Sequence, residues 1–412
     1  MEGLKAILLI CDGMADRPVA ELGGKTPLEA ANNVNMNRLA AEGENGLMDP
    51  IAPGIRAGSD TSHLAILGYD PYTYYTGRGP FEAAGIGMDV RGGDIAFRCN
   101  FSTVDDTLVI TDRRAGRIET GTDQLAAAVD GVVIEDVTCF FKESVAHRGA
   151  LVLRGPGLGA LVTDADPHEV GEKVHDAHAV DASDAASAKT ARIINEFIRI
   201  SYKALNTHPV NVQRKAEGKP PANIILPRGA GVAPALSSFE KKYSLKGASV
   251  VETGLIAGIA VYIGMDIVEV PGATGGLDTD AIAIADGILK TLEDHDFILC
   301  NVKGGDIAGH DGGADAKVKM IERIDGMLGY LMGKVSDQTY IVLTSDHATP
   351  ISIKDHSGDS VPITFWGPEV RTDSVKAYDE RSVVGGGTMR IRGTDVMNIL
   401  TQLMNTQEKF GA

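Results

Sequence analysis

Four short apolar runs, KAILLIC (5–11), DFILCNV (296–302), TYIVLTS (339–345) and VPITFWG (361–367), lie among amphipathic helical stretches at the two ends of the chain. That alternation restricts these segments to a mostly parallel α/β sheet with helices on both faces. The helices are legible from their period. GADAKVKMIERIDGMLGYLM places Ala314, Val318, Ile321, Ile324, Leu328 and Leu331 on one stripe, and LDTDAIAIADGILKTLED carries Ile282, Ala285, Ile288, Leu289 and Leu292 along a face.

The middle of the chain has another style. Residues 88–160 hold GDIAFRCNFSTVD, TLVITD, GVVIEDVTCFF and GALVLRG, short strands separated by charged or glycine-containing turns, which predict an antiparallel sheet. The stretch SDAASAKTARIINEFIRISYKAL predicts a long helix, capped at Ser183, that buries Ile193, Ile194, Phe197, Ile200 and Leu205. HPVNVQRKAEGKPPAN reads as a polar linker, and IILPRGAG closes the segment. We therefore expect a smaller α+β domain at 73–231, inserted into a larger α/β domain made of 1–72 and 232–412.

The chemistry lies where strands end. AILLIC ends in Asp12, FILCNV runs into a segment with Asp306 and His310, and YIVLTS runs into Asp346 and His347, with His356 following. A single aspartate after a strand is ordinarily a turn residue or a cap. Three such acids, two of them with histidines at short spacing, on strands of one sheet, point to a common cleft, because ligands collect at the carboxyl ends of parallel strands. Carboxylates and imidazoles without thiolates suit hard or borderline divalent ions. Six groups exceed the needs of one tetrahedral site and match two adjacent metals, a recurrent arrangement for phosphoryl transfer. The matching nucleophile is Ser59 in IRAGSDTSHLAILGYDP, after a glycine and before a helical stretch at His63–Leu67, with Thr61 and Ser62 as local competitors.

Bulk properties exclude other classes. A formal charge of −17 argues against a nucleic-acid binder, since phosphate backbones are held by Lys and Arg. The longest uncharged apolar segment, at 254–265, is far short of the ~20 residues of a membrane span, so no membrane association is expected. The cysteines Cys11, Cys99, Cys139 and Cys300 lack metal-type spacing and read as buried reduced thiols of a cytoplasmic protein. Glycine, at 49 of 412 residues, exceeds the usual ~7% and indicates many tight loops. Nothing in the sequence sets an oligomeric state.

The segments ICDGMADRP, AGSDTSHLAILGYDP, DPHEVG, VPGATGGLDTD, NVKGGDIAGHDG and LTSDHATPISIKDHSGDSVPI resemble the archaeal-type 2,3-bisphosphoglycerate-independent phosphoglycerate mutases of the alkaline phosphatase superfamily. The resemblance runs in order along nearly the whole chain. It implies an alkaline-phosphatase-like fold and interconversion of 3- and 2-phosphoglycerate through a phosphorylated Ser59, without free 2,3-bisphosphoglycerate. It also implies two divalent ions, Mn²⁺ or Mg²⁺ foremost and Co²⁺ or Zn²⁺ also suited. Asp12, Ser59, Asp346 and His347 would surround one ion, and Asp306, His310 and His356 the other.

The bacterial relatives carry a lysine near the phosphoryl group in a segment matching VVETGLIAG, which has none here; Lys303 is the expected substitute. The inserted domain is expected to close over the substrate and hold it with Arg113, His147, Arg148 and Arg228, chosen from a basic set that also includes Arg98, Arg114, Arg117 and His168. Asp166 is the expected general base. Two alternatives share the scaffold: a homoserine kinase-like phosphotransferase, and a metal-dependent phosphatase or phosphonate hydrolase.

Overall fold

The strand Lys5–Cys11 is fully buried beyond its first residue and occupies the interior of an eight-stranded sheet in the computed structural model, which describes residues 3–407 and 409–411. The sheet order is Asp266–Ile267, Gly247–Val251, Phe297–Val302, Lys5–Cys11, Thr339–Thr344, Val361–Trp366, Glu44–Asp49 and Met389–Arg392. Among these strands Val361–Trp366 alone runs against the rest. Alternate residues serve opposite faces. Ile7, Leu9 and Cys11 join a core with Ile321, Ile324 and Leu328 from the helix Ala314–Met332 and Ile284 and Ile288 from the helix Ala281–Thr291. Ala6, Leu8 and Ile10 are equally buried on the other side. The mostly parallel, doubly covered α/β sheet is the one the sequence predicts.

By contact the chain divides into two compact units, Met1–Tyr75 with Leu236–Ala412, and Thr76–Ala235. The second unit has its own antiparallel sheet. Ile95–Val104 lies between Arg148–Arg154 and Ile224–Val232, and Val137–Glu143 pairs with Arg148–Arg154. The helix Ala185–Leu205 covers it with Ile193, Ile194, Phe197, Ile198 and Leu205.

Several local expectations are corrected. GVVIEDVTCFF is a hairpin of two strands, Val132–Ile134 and Val137–Glu143, because Glu135 takes a left-handed φ of 54° at its turn. Asp184, not Ser183, caps the long helix by accepting from the backbone N–H groups of Ala186 and Ser187, and Ile198 takes the deep position expected of Ile200. On Ala281–Thr291 the buried face is Ala281, Ile284, Ala285 and Ile288, which leaves Ile282 43% exposed. On Ala314–Met332 the stripe contains Lys317 at 0% exposure, while Val318 is only half-buried.

The expected linker at 208–223 contains a helix, Pro209–Ala216. Pro209 at its first position gives up no hydrogen bond, and His208 caps it by accepting from the Val210 N–H. Its single buried residue is Asn211, whose Nδ2 donates to the Leu205 and Ala222 carbonyls, each at 2.8 Å, while Oδ1 accepts from the Ala222 N–H at 2.8 Å. Replacing Asn211 by Ala strands the Ala222 N–H and carbonyl, while the Leu205 carbonyl keeps the His208 N–H at 3.1 Å. With ~1–3 kcal/mol for each unsatisfied group, Asn211→Ala should lower the unfolding free energy of the protein by about 2 kcal/mol or more, read by denaturant unfolding; a loss below about 1 kcal/mol would contradict the clamp.

Candidate metal and nucleophile site

Three adjacent parallel strands, Phe297–Val302, Lys5–Cys11 and Thr339–Thr344, stop at the same edge of the larger sheet. Their continuations bring Asp12, Asp306, Asp346 and His347 together, all buried, with His310 and His356 beside them. His347 Nε2 lies 3.3 Å from Asp346 Oδ2 and 3.7 Å from Asp12 Oδ1. Asp306 Oδ1 lies 3.3 Å from His310 Nε2 and 3.4 Å from His356 Nε2. The rings of His347 and His356 stack with centroids 3.6 Å apart.

The nucleophile candidate enters from the helix Ser59–Ile66. Ser59 Oγ is 3.1 Å from His347 Nε2. The competing hydroxyls are engaged elsewhere: Thr61 Oγ1 and Ser62 Oγ both donate to the Gly58 carbonyl, at 3.1 and 2.9 Å. Ser59 occupies the first turn, where unsatisfied backbone N–H groups and the helix dipole favour negative charge.

The residues present fit divalent cations. His310 Nδ1 meets the Lys354 carbonyl at 2.9 Å and His356 Nδ1 the Ala57 carbonyl at 2.8 Å, so each ring donates from Nδ1 and turns Nε2 inward toward Asp306 Oδ1. His347 Nδ1 meets Thr349 Oγ1 at 3.1 Å, and that hydroxyl donates to Asp306 Oδ1 at 2.9 Å. Such outer partners are what fix metal-binding imidazoles in tautomer and direction. Asp346 Oδ1 accepts from the Gly13 and His347 N–H groups, each at 3.0 Å, whereas buried Oδ2 has no hydrogen-bond partner among the described residues. A buried carboxylate oxygen left open is costly unless a cation faces it.

Electrostatics agree. Burial pushes the Asp12 carboxyl up, and the charge of Asp346 adds to it. Burial pushes His347 down to about 3, so the ring is neutral and its Nε2 open. For Asp306, burial is outweighed by hydrogen bonds from His310 and His356 and by the Lys303 charge, and its carboxyl lies well below the usual range. Lys303 Nζ is 2.8 Å from both Asp12 Oδ1 and Asp306 Oδ2; burial opposes its charge, but these two acids win and hold it protonated. Three carboxylates against one ammonium leave the cluster negative.

The supporting residues were invisible in the sequence. Asn301 Nδ2 donates to Asp12 Oδ2 at 3.1 Å and reaches His63 Nε2 at 3.1 Å, while His63 Nδ1 meets the Ser59 carbonyl at 2.7 Å. Glu252 sits in the very segment that lacks the expected lysine; its Oε2 accepts from the Lys303 N–H at 2.7 Å and so seats the helix Gly304–Asp311.

The second unit carries a basic cluster. Arg98 stands directly opposite Arg228 across paired strands, and Asn100 opposite Arg148, so strand register aligns three of these arginines. Like charges facing each other in a sheet are unfavourable without a counter-charge. Burial, with Arg78 alongside, pushes Arg98 down to about 9, and Arg98 Nε, Arg228 Nε and His147 Nδ1 have no hydrogen-bond partner among the described residues. Burial and then the charges of Arg148, Arg114, Arg98 and Arg117 push His147 down to about 4. Arg113 Nη2 donates to Asp166 Oδ2 at 2.8 Å, and both Arg113 Nη2 and Arg228 Nη1 reach His168 Nδ1, at 3.2 and 3.1 Å. Burial of Asp166 is outweighed by Arg113 and the His168 N–H, which keep it ionised. Arg78 and Glu82, absent from the sequence-based set, belong here: Arg78 Nε donates to Glu82 Oε1 at 2.9 Å, and Arg98 Nε lies 3.6 Å away from it.

The family model described as 2,3-bisphosphoglycerate-independent phosphoglycerate mutase matches residues 40–211. A protein of that name from Methanothermobacter thermautotrophicus is 55% identical over 99% of this chain and 100% of its own. One from Methanosphaera stadtmanae is 53% identical over 99% of this chain and 100% of its own. Among solved structures, a protein from Pyrococcus horikoshii covers 100% of both chains at 39% identity with a TM-score of 0.87. The cofactor-independent phosphoglycerate mutase from Thermoplasma acidophilum covers 97% of this chain and 100% of its own, at 38% identity and a TM-score of 0.70.

Gly13 tests the packing of the site. Its φ is +61°, and an added Cβ would lie 2.5 Å from Thr349 Oγ1 and 2.7 Å from the Asp306 Cα. Gly23 has a similar φ of +68° but open space around it. Gly23→Ala should cost only backbone strain, about 1–2 kcal/mol, with Mn²⁺ affinity unchanged by titration. Gly13→Ala should weaken Mn²⁺ binding at least tenfold; equal affinity in the two variants would contradict the geometry.

Proposed function

Because this chain belongs to the 2,3-bisphosphoglycerate-independent phosphoglycerate mutase family and is an isomerase, we propose that it interconverts 3- and 2-phosphoglycerate, a step of glycolysis and gluconeogenesis, through a phosphoserine at Ser59. The observation that carries the reading is the free approach of Ser59 Oγ to His347 Nε2 while Thr61 and Ser62 are both tied to Gly58.

The residues support two cation positions: Asp12, Asp346 and His347 beside Ser59, and Asp306, His310 and His356 next to them. Divalent cations there, Mn²⁺ or Mg²⁺ foremost, supply acidification of the Ser59 hydroxyl and neutralisation of phosphoryl oxygens. Ser59 Oγ attacks the phosphorus of 3-phosphoglycerate, the bond from phosphorus to the 3-oxygen breaks, and the Ser59 hydroxyl proton ends on that oxygen, giving phosphoserine and glycerate. Lys303, held protonated between Asp12 and Asp306, would offset charge on the transferring group. The retained glycerate then presents its 2-hydroxyl, whose proton passes to Asp166 as its oxygen bonds to phosphorus and the bond from phosphorus to Ser59 breaks. No free 2,3-bisphosphoglycerate takes part.

The second unit, in this reading, holds the glycerate and keeps water from the phosphoserine. Arg98, Arg148 and Arg228 offer cations to an acid carrying a carboxylate and a phosphoryl group, and His147 and Arg113 complete the set. Asp166, ionised against Arg113, would serve as the proton acceptor.

The test is incubation with 3-phosphoglycerate and Mn²⁺, with 2-phosphoglycerate followed through enolase and inorganic phosphate and ATP-dependent phosphorylation of homoserine measured in parallel. We expect 2-phosphoglycerate without stoichiometric phosphate, and Ser59→Ala should lower kcat by about 10⁴-fold or more while still binding Mn²⁺. Net phosphate release would favour a phosphatase, ATP-dependent product a kinase, and an active Ser59→Ala would remove the proposed nucleophile.

A further inference from the structure

Lys317 lies on the buried stripe of the helix Ala314–Met332, at 0% exposure, where an apolar side chain would be expected. Each of its three N–H bonds has an acceptor: Asp16 Oδ2 at 2.8 Å, the Thr349 carbonyl at 2.9 Å and the Ala15 carbonyl at 3.2 Å. Ala15 and Asp16 follow Asp12 in the turn after the first strand. Thr349 follows Asp346 and His347 in the turn after the strand Thr339–Thr344. The two turns also touch directly, through the Thr349 N–H donating to the Ala15 carbonyl at 3.2 Å.

Thr349 is the point where this tether meets the site. Its carbonyl accepts from Lys317, and its hydroxyl links His347 Nδ1 to Asp306 Oδ1. The Thr349 carbonyl also packs against Gly309, where a Cβ would clash. Asp16 is fixed in turn: its carboxylate accepts from the Arg17 and Ile351 N–H groups, and its own N–H donates to Glu380 Oε1 at 2.9 Å. The second Glu380 oxygen accepts from Thr26 Oγ1 at 2.6 Å.

A buried ion pair is a poor source of stability, because desolvation of both partners cancels much of the attraction and apolar replacements are often neutral. What a buried ammonium supplies that a leucine cannot is three directed bonds. We infer that Lys317 is a positioning residue for the cation site: it clamps the turns at 12–16 and 345–351 so that the Thr349 hydroxyl holds His347 and Asp306 in ligand geometry. This rests on the proposed cation site but not on the substrate or the reaction.

The test compares wild-type protein with Lys317→Met and with Lys317→Met combined with Asp16→Asn, which removes both charges together. Mn²⁺ affinity is measured by electron paramagnetic resonance of the free ion, and melting temperature in chelator. Loss of an outer partner of a metal ligand typically costs 10–100-fold in affinity. We expect Lys317→Met to melt lower and bind Mn²⁺ at least tenfold more weakly. The double variant should regain most of its melting temperature without regaining affinity, and its kcat should fall more than its KM for 3-phosphoglycerate changes. Wild-type Mn²⁺ affinity in the folded double variant would overturn the inference and leave Lys317 a plain structural residue. If the single variant fails to fold, the double variant decides alone. A wild-type protein that binds no Mn²⁺ would overturn the cation site itself, and is recognised before any variant is made.

Discussion

Crowding of negative charge in a dry place is the constraint around which the larger unit is organised. Three neighbouring parallel strands deliver Asp12, Asp306 and Asp346 to one buried edge. Water cannot screen them there, and Lys303 offsets only part of their repulsion. The surrounding structure reads as a means of keeping this arrangement from relaxing. Gly13 lets the first turn pass against Asp306, Asn301 and Glu252 hold Asp12 and Lys303, and Thr349 joins His347 to Asp306. So close a set of carboxylates and imidazoles is a candidate to hold a cation.

The second unit shows the same logic with the sign reversed. Arginines are set opposite one another on adjacent strands, partly buried and only partly answered by Glu82 and Asp166. Each unit thus keeps a charge imbalance that its own side chains do not resolve.

The strand-end acids and the apolar runs before them were legible in the sequence because both signals are local. So were the glycine before Ser59 and the short spacing of the histidines. Features set by distant pairing were not. Asp16 and Lys317 are 301 residues apart, so the helix stripe was drawn through Val318 and missed the buried lysine. Arg98 and Arg228 face each other only through strand register, which no local pattern encodes. Arg78 stood unremarked between glycines. The helix Pro209–Ala216 escaped because a helix that buries one asparagine has no apolar period to read.

The most direct test of the central claim is the count of Mn²⁺ ions bound per chain, with the electron paramagnetic resonance spectrum of the loaded protein. The account predicts two ions close enough to couple magnetically. A chain that binds a single isolated ion, or none, would contradict it.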